Sequence, residues 1–291
     1  MRLQRRGRTL SFVRFAAIDW SGAKGGRHKG IAVAICEAGQ TAPKLVRPGH
    51  AWSRGEVRDW LSDAAAEAPT LFGFDFSFAP PIVGRGAYLP GERGVPDDAK
   101  AFWAYVDGRC DDEDLGAASF LERAHRRHFY FGAADGPKRD FLHHRVCETI
   151  FNASGGGKAS TVYDAIGAAQ VAKASFAGMR LLHALAGRVP VWPFDPLPAQ
   201  GSLIVEIYTR AFIRLAGLSG RKVRDRDQLD AALAALGSDP ARLEGPSSDH
   251  ETDVLIAAAG LRAIASDARY WSPAGITPKI ARTEGWTFGV T

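Results

Sequence analysis

Cysteine is scarce in this chain: Cys36, Cys110 and Cys147 are the only three in 291 residues, far apart and never in a CxxC pair. That excludes a disulfide framework and a zinc ribbon, and makes a reducing, cytoplasmic setting the expectation. Long apolar runs are also missing. Arg, Asp or Gly interrupts every stretch before the roughly 18 to 20 residues a spanning helix needs, so no membrane association is expected. The start, MRLQRRGRTLSFVRFAAIDW, has the basic opening of an export signal, but Arg14 and Asp19 break its apolar part and no clean cleavage site follows. Arg2 to Arg8 read as a tail.

Several catalytic signatures are absent as well. No GxSxG occurs, which argues against ester hydrolysis by a serine. SGGGKAST, at 154–161, would need Gly in place of Asn152 and Ser or Thr in place of Ala159 to be a P-loop, so it reads as a loop whose amides could at most hold a phosphate. His125, His128, His143, His144, Cys147 and Glu148 match no closed zinc spacing. There are no repeats and no low-complexity segment.

What remains is an ordinary globular composition, 46% hydrophobic and 24% charged, with a formal net charge of +5. The excess favours polyanions only slightly. Basic residues cluster in the tail, at Arg123 to Arg127, Lys138 to Arg145 and Arg221 to Arg226, each group mixed with acids or histidines, as solvated faces are.

Short β-prone runs at Phe12–Asp19 and Gly30–Cys36 flank the Gly-rich turn WSGAKGGRHK and predict a hairpin, with Lys44–Arg47 as a third antiparallel strand. Ser53 and Glu56 form a capping box for a helix ending near Pro69, which delivers the chain to a buried strand, Leu71–Asp75, parallel to the first. Between about 80 and 193 the pattern turns helical, and reads as an insertion containing a long helix from Ser160 or Thr161 to about Gly187. Val162, Ile166, Ala169, Ala172, Phe176, Met179 and Leu182 would be its core stripe. Ser202–Tyr208 returns to strand, Asp227–Leu236 to helix, and Asp249–Ala265 is a strong final helix capped by Ser247 or Ser248. The fold class expected is therefore α/β, a mixed sheet flanked by helices with a helical insertion, in a single domain.

Four places put carboxylates beside apolar structure: Asp19, Asp75, Glu206 and the Asp249/Asp253 pair. Asp19 and Asp75 end strands whose carboxyl ends should share a crevice. Asp249 and Asp253 are four residues apart on one helix face. Gathered acids raise one another's pKa unless a cation compensates, and Mg²⁺ or Mn²⁺ would do so while activating water against a phosphodiester. Each acid also has a plain reading: Asp19 as a turn residue, Asp75 as a cap before Pro80 and Pro81, Glu206 as partner of a buried arginine, Asp249 as helix-end decoration. Lys24, Arg27 and Lys29, in the turn after Asp19, are candidates for contacting a substrate phosphate.

AAIDWSGAKGG, GFDFSFAPP, VEIYTRAF and SDHETDVLIAAAGLRA, in this order, resemble a predicted RNase H-like nuclease family catalogued as a domain of unknown function, number 429. The resemblance covers the sheet-forming half of the chain. More remotely it extends to RuvC-type Holliday junction resolvases, which use an acid on the first strand, one on the fourth and two ligands on the last helix. Carried over by position, it implies Asp19, Asp75 and Asp253 as catalytic acids and metal ligands, His250 or Asp249 as the other helix ligand, and Glu206 as a secondary site residue. Histidine as ligand would tilt the site towards manganese. The expected function is a metal-dependent nuclease acting on nucleic acid. Two alternatives stay open: a non-catalytic binding module on the same fold, and an actin-like phosphotransferase, for which no second lobe or adenosine loop is evident.

Overall fold

In the computed structural model, which describes residues 11–155, 157, 159–167, 171–218, 223, 225–243, 245 and 247–291, period-two runs form the sheet. Its strands are β1 (Arg14–Asp19), β2 (Ala32–Glu37), β3 (Lys44–Leu45), β4 (Thr70–Asp75), β5 (Val191–Trp192) and β6 (Leu203–Glu206), in the order β3-β2-β1-β4-β6-β5. β2 runs antiparallel to β1 and β3, whereas β4 is parallel to β1, β6 to β4 and β5 to β6. The expected hairpin, third strand, helix and parallel fourth strand are all present, in an α/β fold with helices on both faces.

Strand side chains alternate between faces, so each strand feeds two cores. On one face Ile18, Val33, Phe72, Phe74 and Ile204 pack with helices α1 (Arg54–Glu67), α2 (Ala99–Asp107) and α4 (Val171–Leu185). On the other, Phe15, Ala17, Leu71 and Val205 meet α5 (Thr209–Leu215), α6 (Arg226–Ala235) and α7 (Asp249–Ile264). α7 lies across β1 and β2. Its residues from Val254 to Leu261 are all buried, and each Leu or Ile contributes about 1.5–3 kcal/mol by leaving water. Gly73 of β4 lets the helix come this close, since a Cβ there would lie 2.6 Å from Leu261 Cδ1.

The capping box at Ser53 and Glu56 is formed, and a second one, Ser248 with Glu251, starts α7. The segment 80–193 supplies α2, α3 (Val146–Ala153), α4 and also β5, a two-residue strand between Pro190 and the cis-proline Pro193 that its length concealed. One expectation is corrected here. Helix does not begin at Ser160 or Thr161: Asp164 bridges to Tyr130, Gly167 adopts φ +91°, and α4 starts at Val171. Asp164 is drawn off by Lys138, 2.6 Å away, and Ile166 is exposed instead of facing the core. Ala169 of the expected stripe, the tail Arg2 to Arg8, Gly156 and Lys158 of the glycine-rich segment, and Arg221 and Arg224 lie outside the described residues.

The three cysteines are free. Among the described residues no helix is long and apolar enough to cross a membrane.

Candidate functional site

Parallel pairing sets Asp19 directly opposite Asp75 at the carboxyl ends of β1 and β4. Both fall two residues beyond a residue facing α7, Ala17 and Gly73, so both acids emerge on that face. The first turn of α7 overhangs them. His250 Nδ1 lies 2.6 Å from Asp19 Oδ2, an ion pair when the imidazole is protonated. The hydrogen bond to Asp19, reinforced by the charges of Asp19, Asp253 and Asp249, raises the His250 pKa against the lowering effect of desolvation.

Asp75 lies deeper. Burial, then the charge of Asp19 and more weakly that of Asp253, push its pKa up to about 7. Two hydrogen bonds from Thr209 oppose the rise, from Oγ1 at 2.7 Å and from its backbone N–H at 3.2 Å. Asp19, Asp75, Asp253 and His250 are thus gathered within electrostatic reach of one another, and Asp249 acts on His250 from the same turn. Thr209 was not singled out from sequence. Its signal was its place three residues after Glu206, in the stretch VEIYTRAF.

Glu206 is corrected. It pairs in register with Phe74, not with Asp75, and therefore points to the opposite face of the sheet. There it is buried and chelated by the guanidinium of Arg145, with Nη1 at 2.7 Å from Oε2 and Nη2 on Oε1. Its oxygens also accept from the Phe78 N–H at 2.8 Å and Thr287 Oγ1 at 2.7 Å. Arg145 further holds Glu148 through Nε at 2.9 Å and the Glu284 carbonyl at 3.1 Å. Although burial opposes its charge, Cys147, Glu206 and Glu148 push the Arg145 pKa upward. Every oxygen of Glu206 is spent, which is the plain reading of that residue.

The basic turn is largely spent as well. Lys24 pairs with Glu122 at 2.7 Å and Arg27 with Glu56. Lys29 is exposed and makes no side-chain ion pair among the described residues. Beside it, Gly30 lies between Ser21 and His250: a Cβ there would stand 3.5 Å from Ser21 Oγ and 3.6 Å from His250 Nε2. The turn is anchored from below by buried Arg54, which donates to the Ser21 and Ala23 carbonyls at 2.9 and 2.6 Å. Gly22 packs so tightly on the backbone of Lys173 and Ala174 that a side chain has no room.

Among the described residues no three His, Cys, Asp or Glu groups stand close enough together to hold an ion as they are. The chemistry of the donors nevertheless fits a divalent cation. Three carboxylates and an imidazole lie within electrostatic reach of one another, and the charges of Asp19 and Asp253 add to burial in raising the pKa of Asp75. Asp19, Asp75 and Asp253 would hold the ion, with His250 or Asp249 completing the set once His250 turns from Asp19. His125 and His128 instead surround Glu92, with His128 Nε2 at 3.0 Å, and His144 stands 3.7 Å from Glu148. Comparisons with protein-family models, with curated proteins and with solved structures find no match.

Proposed function

We propose that the chain is a divalent-metal-dependent phosphodiesterase, a nuclease acting on nucleic acid in the cytoplasm. The observation that carries this reading is the in-register pair Asp19 and Asp75 beneath the first turn of α7, with Asp253 near enough to help raise the pKa of Asp75. The mixed sheet, with β2 alone running against the other strands, also agrees with the RNase H-like resemblance, and two acids at adjacent strand ends agree with the resolvase-like ligand set. Bound there, Mg²⁺ or Mn²⁺ would supply an activated water and stabilise the leaving oxygen.

The protein's own groups do the rest. Asp75 is held in place by Thr209, so its carboxylate is presented towards Asp19 in one orientation. Where Asp249 completes the ligand set, His250 stays bonded to Asp19 through Nδ1 and its Nε2 stands beside Gly30, where the absence of a side chain leaves room for a phosphate oxygen. Lys29 is the cation of the turn that remains available to that phosphate. Incubation with single-stranded, duplex and branched DNA and RNA, with and without Mn²⁺ or Mg²⁺, tests the reading. Metal-dependent cutting that is lost in Asp19→Asn is expected. Cutting that survives both Asp19→Asn and Asp253→Asn rejects it.

A further inference from the structure

The segment between β4 and β5 carries a feature that the acid centre does not use. Half-buried rings of Tyr130, Phe131 and Phe141 form a ridge, Tyr130 and Phe141 with centroids 5.6 Å apart. Cations sit on it. Arg126 lies 4.2 Å and Lys173 6.0 Å from the Phe131 ring centre, and Lys138 5.6 Å from that of Tyr130. Farther along, Arg85 lies 4.2 Å over Tyr163. Leu142 and Ile166 stand exposed on the same surface, Ile166 within 3.9 Å of the Cβ position of Gly132.

Two of these cations are committed, Arg126 to Asp135 and Lys138 to Asp164. Lys173 and Arg85 have no acidic partner among the described residues. Lys173 is also where this surface meets the acid centre, because its backbone packs against Gly22, three residues after Asp19. The ridge therefore ends beside the turn that follows Asp19, at the carboxyl end of β1.

We propose that this face binds single-stranded nucleic acid and feeds it past Lys173 to the acids. The inference rests on the phosphodiesterase reading and names its substrate class. A ring backed by a cation suits a base above a phosphate, since stacking takes any base and the cation neutralises the backbone. An apolar protein partner would be better served by rings without charges over them. Duplex bases are stacked on each other and unavailable to the ridge.

The test is fluorescence anisotropy of the full chain in EDTA, with labelled oligo-dT, oligo-rU and a duplex hairpin, over a series of salt concentrations. Single strands should bind more tightly than the hairpin, with affinity falling as salt rises. Phe131→Ala should weaken binding about tenfold or more, the scale of one stacked base. Lys173→Glu and Arg85→Glu, at two half-buried side chains, give the same readout if Phe131→Ala unfolds the chain. Comparison of dT with rU distinguishes DNA from RNA. Equal or better binding of the hairpin, or no loss in any of the three variants, overturns the proposal. Binding that is intact in wild type and Asp19→Asn, without cleavage by either, rejects hydrolysis and keeps the surface. Cleavage with binding indifferent to the three variants rejects the surface and keeps hydrolysis.

Discussion

Glu206 and Asp75 lie at the ends of neighbouring parallel strands, one residue out of step, and that step gives them opposite fates. Glu206 faces the α1/α4 side and is met by a buried arginine, a backbone amide and a threonine hydroxyl. Asp75 faces α7, accepts hydrogen bonds from Thr209 alone among the described residues, and has two further acids for company. One centre is closed, its charge balanced from within the chain. The other gathers like charges, which together with burial raise the pKa of Asp75. A carboxylate at a strand end is therefore uninformative until its face, and the cation on that face, are known.

The sharpest way to break the closed centre is Arg145→Met. It strands Glu206 and Glu148 in the core and should destabilise the protein by roughly 3–5 kcal/mol, measured by urea unfolding. Adding Glu206→Gln should recover part of the loss, because one stranded charge is removed. An unaffected midpoint in the single variant would show the two centres to be less different than described.

The open centre should respond to what the closed one ignores. Mn²⁺ at about 100 times its Kd should stabilise the wild type by about 2.7 kcal/mol, read as a rise in Tm, and should leave Asp19→Asn nearly unmoved. Asp75→Asn should abolish metal-dependent cleavage and yet stabilise the metal-free protein by on the order of 1–2 kcal/mol at pH 8, since an ionised Asp75 is repelled there. The sign follows from linkage. With a folded pKa of about 7 against roughly 3.9 unfolded, the folded state binds the extra proton. The contribution of Asp75 to stability is then greatest below pH 4 and declines as pH rises to 7. Asp75→Asn should remove that downward slope from metal-free urea titrations. The smallest effect expected is for Ser248→Ala, about 1 kcal/mol from the lost cap, with weaker cleavage as the turn carrying His250 frays.

Much of this organisation is legible in the sequence. Strands β1, β2, β4 and β6 and helices α1 and α7 declare themselves by periodicity and caps, and the strand-end rule brings Asp19 and Asp75 to one crevice, whereas α7 was set beside them only by the resemblance. What failed had non-local causes. The face of Glu206 depends on its register against β4, and its partner Arg145 is 61 residues away. The early start given to α4 followed an apolar spacing that Asp164 overrides by pairing with Lys138. The commitments of Lys24 and Arg27 depend on Glu122 and Glu56, which no local pattern reveals.

Gly73 has a mechanical consequence. Leu261 seats on it, and His250 lies eleven residues away along α7, a lever arm of about 16 Å at 1.5 Å per residue. A methyl group at position 73 that tilted the helix by only about 4° would swing His250 by about 1 Å, a misplacement that can cost on the order of a hundredfold in rate. The alignment of the acid centre is thus set partly in the middle of the sheet, by a residue with no side chain.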